Sequence, residues 1–287
     1  MRNVKIRALK TLSDFDLCVH IQKKIWRHKD IDLTPVHQFC VSVQTGGILL
    51  GAFVEKEAAG FVYSFPAIFG RTFCQHSHLL AVMPEYQGYG IGKRLKWAQR
   101  AEALKRGFNL ITWTFDPLQA RNANLNIHSL GAVTQTYLSN FYGRMPALTF
   151  RQNMPTDRFF MEWWIKERRV ELRRKEKNKT FKPENMAKAL ERRVGPKSDV
   201  SSLEPPRLFL KEGTLLVEAP RDIKELRLMP PLVARWQSSI RRTMTHYFSR
   251  GYRVEDFFFG ERCFYVLHKK ERGNENRENR TYASPKP

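Results

Sequence analysis

A strand, a glycine-rich turn and a helix follow one another over residues 76–96, and this segment constrains the fold more than any other part of the chain. Gln87, Gly90 and Gly92 form the pattern Q-x-x-G-x-G at the entrance of the helix. Glycine lets the backbone approach a ligand closely, and the N–H groups of a first helical turn point at an anion. The segment therefore predicts a pyrophosphate site; the alternative is a purely structural turn.

Two common phosphate-binding loops do not account for this pattern. The P-loop sequence GxxxxGK[ST] is absent from the chain. The dinucleotide-binding sequence GxGxxG is interrupted, because Leu95 stands where its third glycine belongs. If the turn binds phosphate, it therefore belongs to another class of phosphate-binding loop.

Charge and composition narrow the class of protein. The 287 residues carry a formal net charge of +22 and are 42% hydrophobic, so the chain is not a wholly disordered polyelectrolyte, and its charge predicts affinity for polyanions. No apolar run approaches the roughly 20 residues that span a bilayer, and no secretory signal is recognised. The scattered cysteines Cys18, Cys40, Cys74 and Cys263 predict reduced thiols in a cytoplasmic protein, without a metal site.

Strands and helices alternate along the chain. The apolar pattern up to about residue 165 predicts strands at 4–9, 46–55, 59–69, 76–83, 110–115 and 132–137, with helices from about 13, after 90, and over 118–130. Further on it predicts a helix over 162–175, strands at 207–218, 252–259 and 262–267, and a helix over 232–249.

The chain therefore divides into a domain over 1–165, a basic helix tail and linker over 166–205, a small α/β unit over 206–270 and a flexible tail over 271–287. Residues 166–199 contain 13 basic and 6 acidic residues. Such a run is typical of a solvated linker, and the alternative is an arm that binds nucleic acid.

The run Leu80-Ala-Val-Met-Pro-Glu-Tyr-Gln-Gly-Tyr-Gly-Ile-Gly closely resembles the coenzyme A motif of the GNAT acyltransferase superfamily. The order of elements over about 4–150 agrees with that family. The resemblance implies the GNAT fold, an α/β (α+β) fold with a mixed, mostly antiparallel, splayed sheet flanked by helices, here with a smaller C-terminal α/β unit. It also implies acetyl-CoA, or another acyl-CoA, as co-substrate and no metal.

The resemblance also assigns the cofactor contacts. The turn would hold the pyrophosphate, and the backbone of the preceding strand would pair with the pantetheine arm. Asn122 would bind a pantetheine amide, unless it is only a polar residue of an exposed helix. The predicted cofactor-binding residues are Leu80, Ala81, Val82, Gln87, Gly88, Tyr89, Gly90, Ile91, Gly92, Lys93 and Asn122.

His76 and His78 are the candidates for the catalytic base. A spacing of two places them on one face of a strand, and imidazole titrates near neutrality. The run His-x-His-x-Leu-Ala-Val is similar to that of serotonin N-acetyltransferase, where two histidines relay the proton; packing within the sheet is the alternative. Asp116 either orients a histidine or binds the acceptor, or it ends its strand before Pro117.

The family's usual proton-donating tyrosine is missing from its position. Ile127 stands there, so Tyr142 in Asn140-Phe-Tyr-Gly is the predicted substitute. The runs around Tyr142 and Arg158 also look like a subgroup of larger GNAT proteins. Asp157 and Arg158 are predicted to bind substrate, with Arg158 holding a carboxylate bidentately; a salt bridge from Arg158 to Asp157 or Glu162 is the alternative.

Three functions are consistent with these residues. The first is an N-acetyltransferase that moves an acetyl or succinyl group from CoA to the primary amine of a small molecule, for example an amino acid. The second is a nucleic-acid-binding protein with a secondary or degenerate CoA site. The third is a CoA-binding protein without catalysis. No membrane partner is predicted, and the oligomeric state, a homodimer being one option, is left open.

Overall fold

The computed structural model describes residues 3–26, 32–143, 154–176, 182–193, 203–223, 226 and 229–270. The chain divides into two compact units, Met1–Trp113 with Trp163–Glu167, and Thr114–Glu162 with Arg168–Pro287. These units do not follow the predicted segments 1–165, 166–205 and 206–270, and that division into domains stays a prediction. The predicted tail 271–287 lies outside the described residues.

The first unit contains a largely antiparallel sheet and three longer helices. Its strands are β1 (Val4–Ala8), β2 (Ile48–Val54), β3 (Glu57–Phe69), β4 (Thr72–Val82) and the beginning of β5 (Leu110–Phe115). Its helices are α1 (Leu12–Trp26), α2 (Val36–Gln44) and α3 (Ile91–Lys105). Strands β1 to β4 pair antiparallel in chain order, whereas β4 and β5 pair in parallel.

A capping box begins α1. The Thr11 hydroxyl accepts a hydrogen bond from the Asp14 N–H at 3.2 Å, and the Asp14 carboxylate accepts one from the Thr11 N–H at 3.1 Å. The helix then buries Phe15, Cys18 and Ile21 in the main apolar cluster of the unit. This packing anchors α1 against the sheet.

The second unit contains shorter helices and the remaining strands. Its helices are α4 (Ala120–Ala123), α5 (Arg168–Arg174) and α6 (Pro230–Ser249), with a π-helical segment, Asn124–Ser129, after α4. Its strands are β6 (Val133–Leu138), β7 (Arg158–Trp164, with its last residues in the first unit), β8 (Lys188–Leu190), β9 (Thr214–Ala219), β10 (Tyr252–Phe259) and β11 (Cys263–Lys269). Among the described residues the strand order is β7-β6-β10-β11-β9-β8, in which β8 and β9 pair in parallel and the other neighbours pair antiparallel.

The predicted fold class, a mixed and mostly antiparallel sheet flanked by helices, is confirmed. The helix predicted over 162–175 is wrong at its start, because β7 runs to Trp164, whose neighbour Trp163 is fully buried, and α5 begins only at Arg168. The strand predicted over 207–218 shortens to β9, and the helix predicted over 118–130 is divided into α4 and the π-helical segment. No helix within the described residues is both long and apolar enough to cross a membrane.

Candidate active site

The glycine turn ends β4 and begins α3 in the first unit. Gly88 and Gly90 adopt positive φ angles of +84° and +76°, and a Cβ at either position would meet no atom within 4 Å. Gly90 is the N-cap of α3 and has no side chain to cap the first turn. The Gln87 side chain donates a hydrogen bond to the Val82 carbonyl at 2.9 Å, which closes the turn back onto the strand. The backbone here is exposed and open to an anion.

Strand β4 has one unpaired edge beside this turn. Its parallel pairing with β5 is confined to Gln75↔Ile111 and His76↔Thr112. From His78 to Val82, no strand within the described part of the chain pairs with this edge of β4. An unpaired strand edge offers N–H and C=O groups to an extended ligand. The predicted pantetheine-binding residues Leu80, Ala81 and Val82 lie on this stretch.

A β-bulge lies at the start of the unpaired edge. Tyr63 pairs with Leu79 while the adjacent Ser64 pairs with Ser77, so His78 has no partner residue on β3. Farther along, β3 approaches β4 so closely that a Cβ on Gly60 would lie 2.2 Å from the Ala81 carbonyl oxygen. The bulge and this close approach together set the position of the segment that carries both histidines.

The rings of His76 and His78 lie beside the same aromatic ring. The Phe65 centroid is 5.5 Å from that of His76 and 5.8 Å from that of His78. His76 Nδ1 lies 3.1 Å from Thr112 Oγ1. No residue that the structure describes forms a hydrogen bond with the exposed His78 ring. The structure therefore brings the two predicted bases together, with His78 the more accessible one.

Both histidines are biased toward the neutral form. Burial, followed by the charges of His78 and Lys96, lowers the pKa of His76 from 6.5 to about 4. The protein atoms around His78 lower its pKa below 6.5 by desolvation, even though its ring remains in contact with solvent. Both imidazoles can therefore accept a proton at neutral pH.

Sequence reasoning missed a buried lysine beneath this strand. Lys96 of α3 is 2% exposed, and its Nζ donates hydrogen bonds to Ser77 Oγ at 3.0 Å and to Gln99 Oε1 at 2.7 Å. Ala101 of the same helix, although apolar, is exposed. The buried face includes Lys96, Gln99 and Arg100 instead. The helical spacing from Ile91 and Leu95 is the signal that places these polar residues on the buried face.

The other predicted site residues belong to the second unit. The Asp116 carboxylate accepts a hydrogen bond from the Leu118 N–H at 2.9 Å, as a residue that ends a strand does. Tyr142 is 42% exposed, and its hydroxyl lies 2.9 Å from Thr114 Oγ1. Asn122 is exposed on α4. The catalytic roles of Asp116 and Tyr142 and the cofactor role of Asn122 stay predictions.

The side chains of Asp157 and Arg158 differ in the hydrogen bonds and contacts that they form. Asp157 is 1% exposed and accepts hydrogen bonds from the Tyr137 hydroxyl at 2.6 Å and from Arg241 at 2.8 and 2.9 Å. Arg158 donates to the Asp157 backbone carbonyl at 2.9 Å, and its guanidinium lies 5.2 Å from the centroid of the Tyr142 ring. These contacts favour a structural role for Asp157, and its predicted role in substrate binding is untested.

Residues 13–130 match the model of the acetyltransferase (GNAT) family. They form a GNAT acetyltransferase domain. The match spans the motif strand, the glycine turn and α3, and it covers less than half of the chain. This match confirms the resemblance inferred from the motif. Proteins with GNAT domains are N-acetyltransferases, enzymes that transfer an acyl group from coenzyme A to an amine.

Solved structures of GNAT proteins resemble the chain at low sequence identity. YncA of Salmonella typhimurium, solved with its cofactor acetyl-CoA, is 17% identical with a TM-score of 0.48, over 57% of this chain and 95% of that one. The ribosomal-protein-S18-alanine N-acetyltransferase of Escherichia coli is 19% identical with a TM-score of 0.46, over 57% and 96%. No curated protein matches the sequence.

Proposed function

We propose that this protein transfers an acetyl group, or another short acyl group such as succinyl, from coenzyme A to the primary amine of a small molecule. The observation that carries the proposal is the unpaired edge of β4, which runs from the bulge at His78 to the glycine turn. Three features that suit acyl transfer follow one another along this strand: the neutral His78 imidazole, a row of backbone N–H and C=O groups, and the glycine turn.

The residues present fit a coenzyme A molecule in two ways. The turn leaves open space beside Gly88 and Gly90 and exposes the uncapped N-terminus of α3, which suits a pyrophosphate. The unpaired edge from His78 to Val82 suits the pantetheine arm, because that arm carries amide groups along an extended chain. Acetyl-CoA, when bound, supplies the activated acyl carbonyl that the amine attacks.

His78 is the proposed base. An acceptor amine is protonated at neutral pH and must lose a proton before or as its nitrogen bonds to the acyl carbon and the carbon–sulfur bond breaks. The exposed His78 ring has no hydrogen-bond partner within the described residues and is neutral at that pH. His76, held by Thr112, is placed to support it from the neighbouring position.

A thiol-release assay tests the proposal. Acetyl-CoA and succinyl-CoA are each offered with panels of amino acids, polyamines and aminoglycosides, and free CoA thiol is measured with the unaltered protein and with His78→Gln. Release that depends on an amine and falls in His78→Gln supports the proposal. Calorimetric binding of acetyl-CoA without any amine-dependent release supports the non-catalytic CoA-binding alternative, and no binding at millimolar acetyl-CoA overturns both.

A second candidate function is nucleic-acid binding, and one face of α6 favours it. Residues 230–250 contain no acidic residue, and Arg235, Arg242 and Arg250 are exposed. Neither Arg242 nor Arg250 forms an ion pair with a residue in the described ranges, whereas Arg235 donates to the Leu203 carbonyl at 2.7 Å. Such a face, in a chain of net charge +22, suits the phosphate backbone of a nucleic acid.

Salt-dependent binding to DNA and RNA tests this second candidate. The double variant Arg242→Gln/Arg250→Gln should reduce the slope of log affinity against log salt by about 1.8, because each phosphate contact contributes about 0.9. The exposed pair Lys56→Gln/Arg71→Gln, in the first unit, is the matched control for loss of charge. Equal slopes for the two double variants would reject α6 as the binding face.

A further inference from the structure

Lys96 lies in a cage of polar and aromatic side chains between α3 and the sheet. Besides its bonds to Ser77 and Gln99, its ammonium lies 4.1 Å from the centroid of a Trp113 ring and 5.4 Å from that of a Trp163 ring. Gln99 also donates to Ser77 Oγ at 3.2 Å, so the three polar side chains form a closed triangle. Each side of the ammonium thus faces either an oxygen acceptor or the face of an aromatic ring.

Burying Lys96 at this position costs more free energy than burying an apolar side chain would. No carboxylate in the described portions of the chain lies within 4 Å of its Nζ. Burial of a charged amine without a carboxylate partner is unfavourable, and an apolar side chain of similar volume usually packs at lower cost. Burial lowers the pKa of Lys96 well below its usual value. The contacts that favour its ammonium form are the two oxygen acceptors and the two indole rings. The cation therefore calls for an explanation other than packing.

The cage is joined directly to the bulged segment of β4. Ser77 lies between His76 and His78 and is the last residue before the bulge. The groups beside the two imidazoles include Phe65 and Tyr63 from β3 and Thr112 from β5. Lys96 of α3 is the charged group whose field bears on His76, along with the neighbouring His78.

We propose that Lys96 is a positioning residue for proton acceptance by His78 and His76. Its ammonium holds the bulged segment from behind through Ser77, and its charge disfavours a second positive charge on the His76 imidazole. His76 is thus kept neutral beside His78, and the strand segment that carries both imidazoles is held in place. The catalytic part of this inference rests on the proposed acyl transfer, whereas the electrostatic part concerns the ligand-free protein.

Lys96→Met tests the inference, because methionine has a similar length and no charge. His76 and His78 are titrated by NMR in the ligand-free protein, and thermal unfolding is recorded alongside. We expect a melting temperature at or above that of the unaltered protein. We also expect the pKa of His76 to rise by at least about 0.5 pH units, because the charge of Lys96 contributes to lowering it. Lys105→Met is the control, since Lys105 lies on the same helix with a side chain 76% exposed.

The outcomes separate this inference from the proposed function. An unchanged His76 titration in folded Lys96→Met overturns it, whatever the activity. If Lys96→Met does not fold, Lys96→Gln repeats the measurement with a shorter polar side chain, and failure of both to fold shows that Lys96 serves folding alone and also overturns it. A shifted titration in a protein that transfers no acyl group would leave the electrostatic role standing and reject the proposed function.

Discussion

The His76 imidazole is joined to Thr112 at the last residue pair that links β4 to β5: Nδ1 lies 3.1 Å from Oγ1, and the two residues are also partners in the strand register. Beyond this pair β4 continues without a partner on that edge among the described residues. One histidine is therefore fixed where the strands separate, and His78 lies just past that point.

Replacing His78 should remove the base while leaving the cofactor site intact. We expect His78→Gln to lower kcat/KM by about 10²–10⁴-fold, the usual contribution of a general base. The affinity for acetyl-CoA, measured by calorimetry, should stay unchanged. His76→Gln is the comparison, and its fold-loss of kcat/KM should be at least tenfold smaller than the fold-loss in His78→Gln. A larger loss in His76→Gln would assign the base to His76.

The pH dependence of the unaltered enzyme should follow the lowered pKa of His78. A base accepts a proton only when it is neutral, so kcat/KM should be level above the pKa of His78 and fall as the pH drops through it. Because that pKa lies below 6.5, the acid limb should also lie below pH 6.5. An acid limb above that value, measured with saturating acetyl-CoA, would contradict the assignment.

A carboxylate placed at Gly90 should weaken CoA binding without unfolding the protein. Aspartate tolerates a left-handed backbone and is a favourable N-cap, and a Cβ at Gly90 meets open space. Its charge would repel a pyrophosphate at the start of α3. We expect Gly90→Asp to raise the Kd for CoA at least about tenfold, or 1.4 kcal/mol.

Gly107 provides the matched control for this substitution. It follows α3 at the other end, also has a positive φ, and would likewise place a Cβ in open space. Gly107→Asp should leave the Kd for CoA unchanged. Equal losses of affinity in the two variants would show a general effect of charge or stability instead of a site at Gly90.

Asp14 should stabilise the first unit in a pH-dependent manner. A hydrogen bond from Arg7 at 2.7 Å and bonds from the Lys10 and Thr11 N–H groups hold the pKa of Asp14 well below its usual range. A lowered folded-state pKa gives stability that is present above the unfolded pKa of about 3.9 and is lost as the pH falls further.

Asp14→Asn should therefore lower the free energy of unfolding at neutral pH by about 1 kcal/mol, a modest value because Arg7 is largely exposed and the ion pair is screened. Urea unfolding of both proteins at neutral pH and at about pH 3 measures the difference. We expect the gap between them to narrow at the lower pH. A constant gap would mean that the carboxylate charge makes no contribution.

The variant Asp157→Asn distinguishes a structural role of Asp157 from a role in substrate binding. The buried carboxylate accepts hydrogen bonds from Tyr137 and from the partly exposed Arg241, so loss of its charge weakens both bonds and should cost about 1–3 kcal/mol of stability. Thermal and urea unfolding measure this loss. If Asp157 binds substrate instead, the variant would keep its stability and raise KM for the acceptor.

Patterns within short stretches of the sequence predicted much of the secondary structure. The helical period from Ile91 and the glycine pattern around Gly90 predicted the strand–turn–helix segment, because turns and first helical turns depend on residues only a few positions apart. The predicted secondary structure was wrong where contacts between residues distant in the sequence determine it. The run at Glu162 contains residues compatible with a helix, but burial of Trp163 in the sheet makes it a strand.

The features of the candidate site also fall into those that the sequence determines and those that depend on the tertiary structure. The sequence by itself determined the glycine turn, the paired histidines and the family to which residues 13–130 belong, because these are written in contiguous residues. Only the tertiary structure decided that β4 bulges at His78, that its edge has no partner strand among the described residues, and that Lys96 is buried under Ser77. Strand register and burial depend on contacts between residues distant in the chain, and no pattern within one segment contains them.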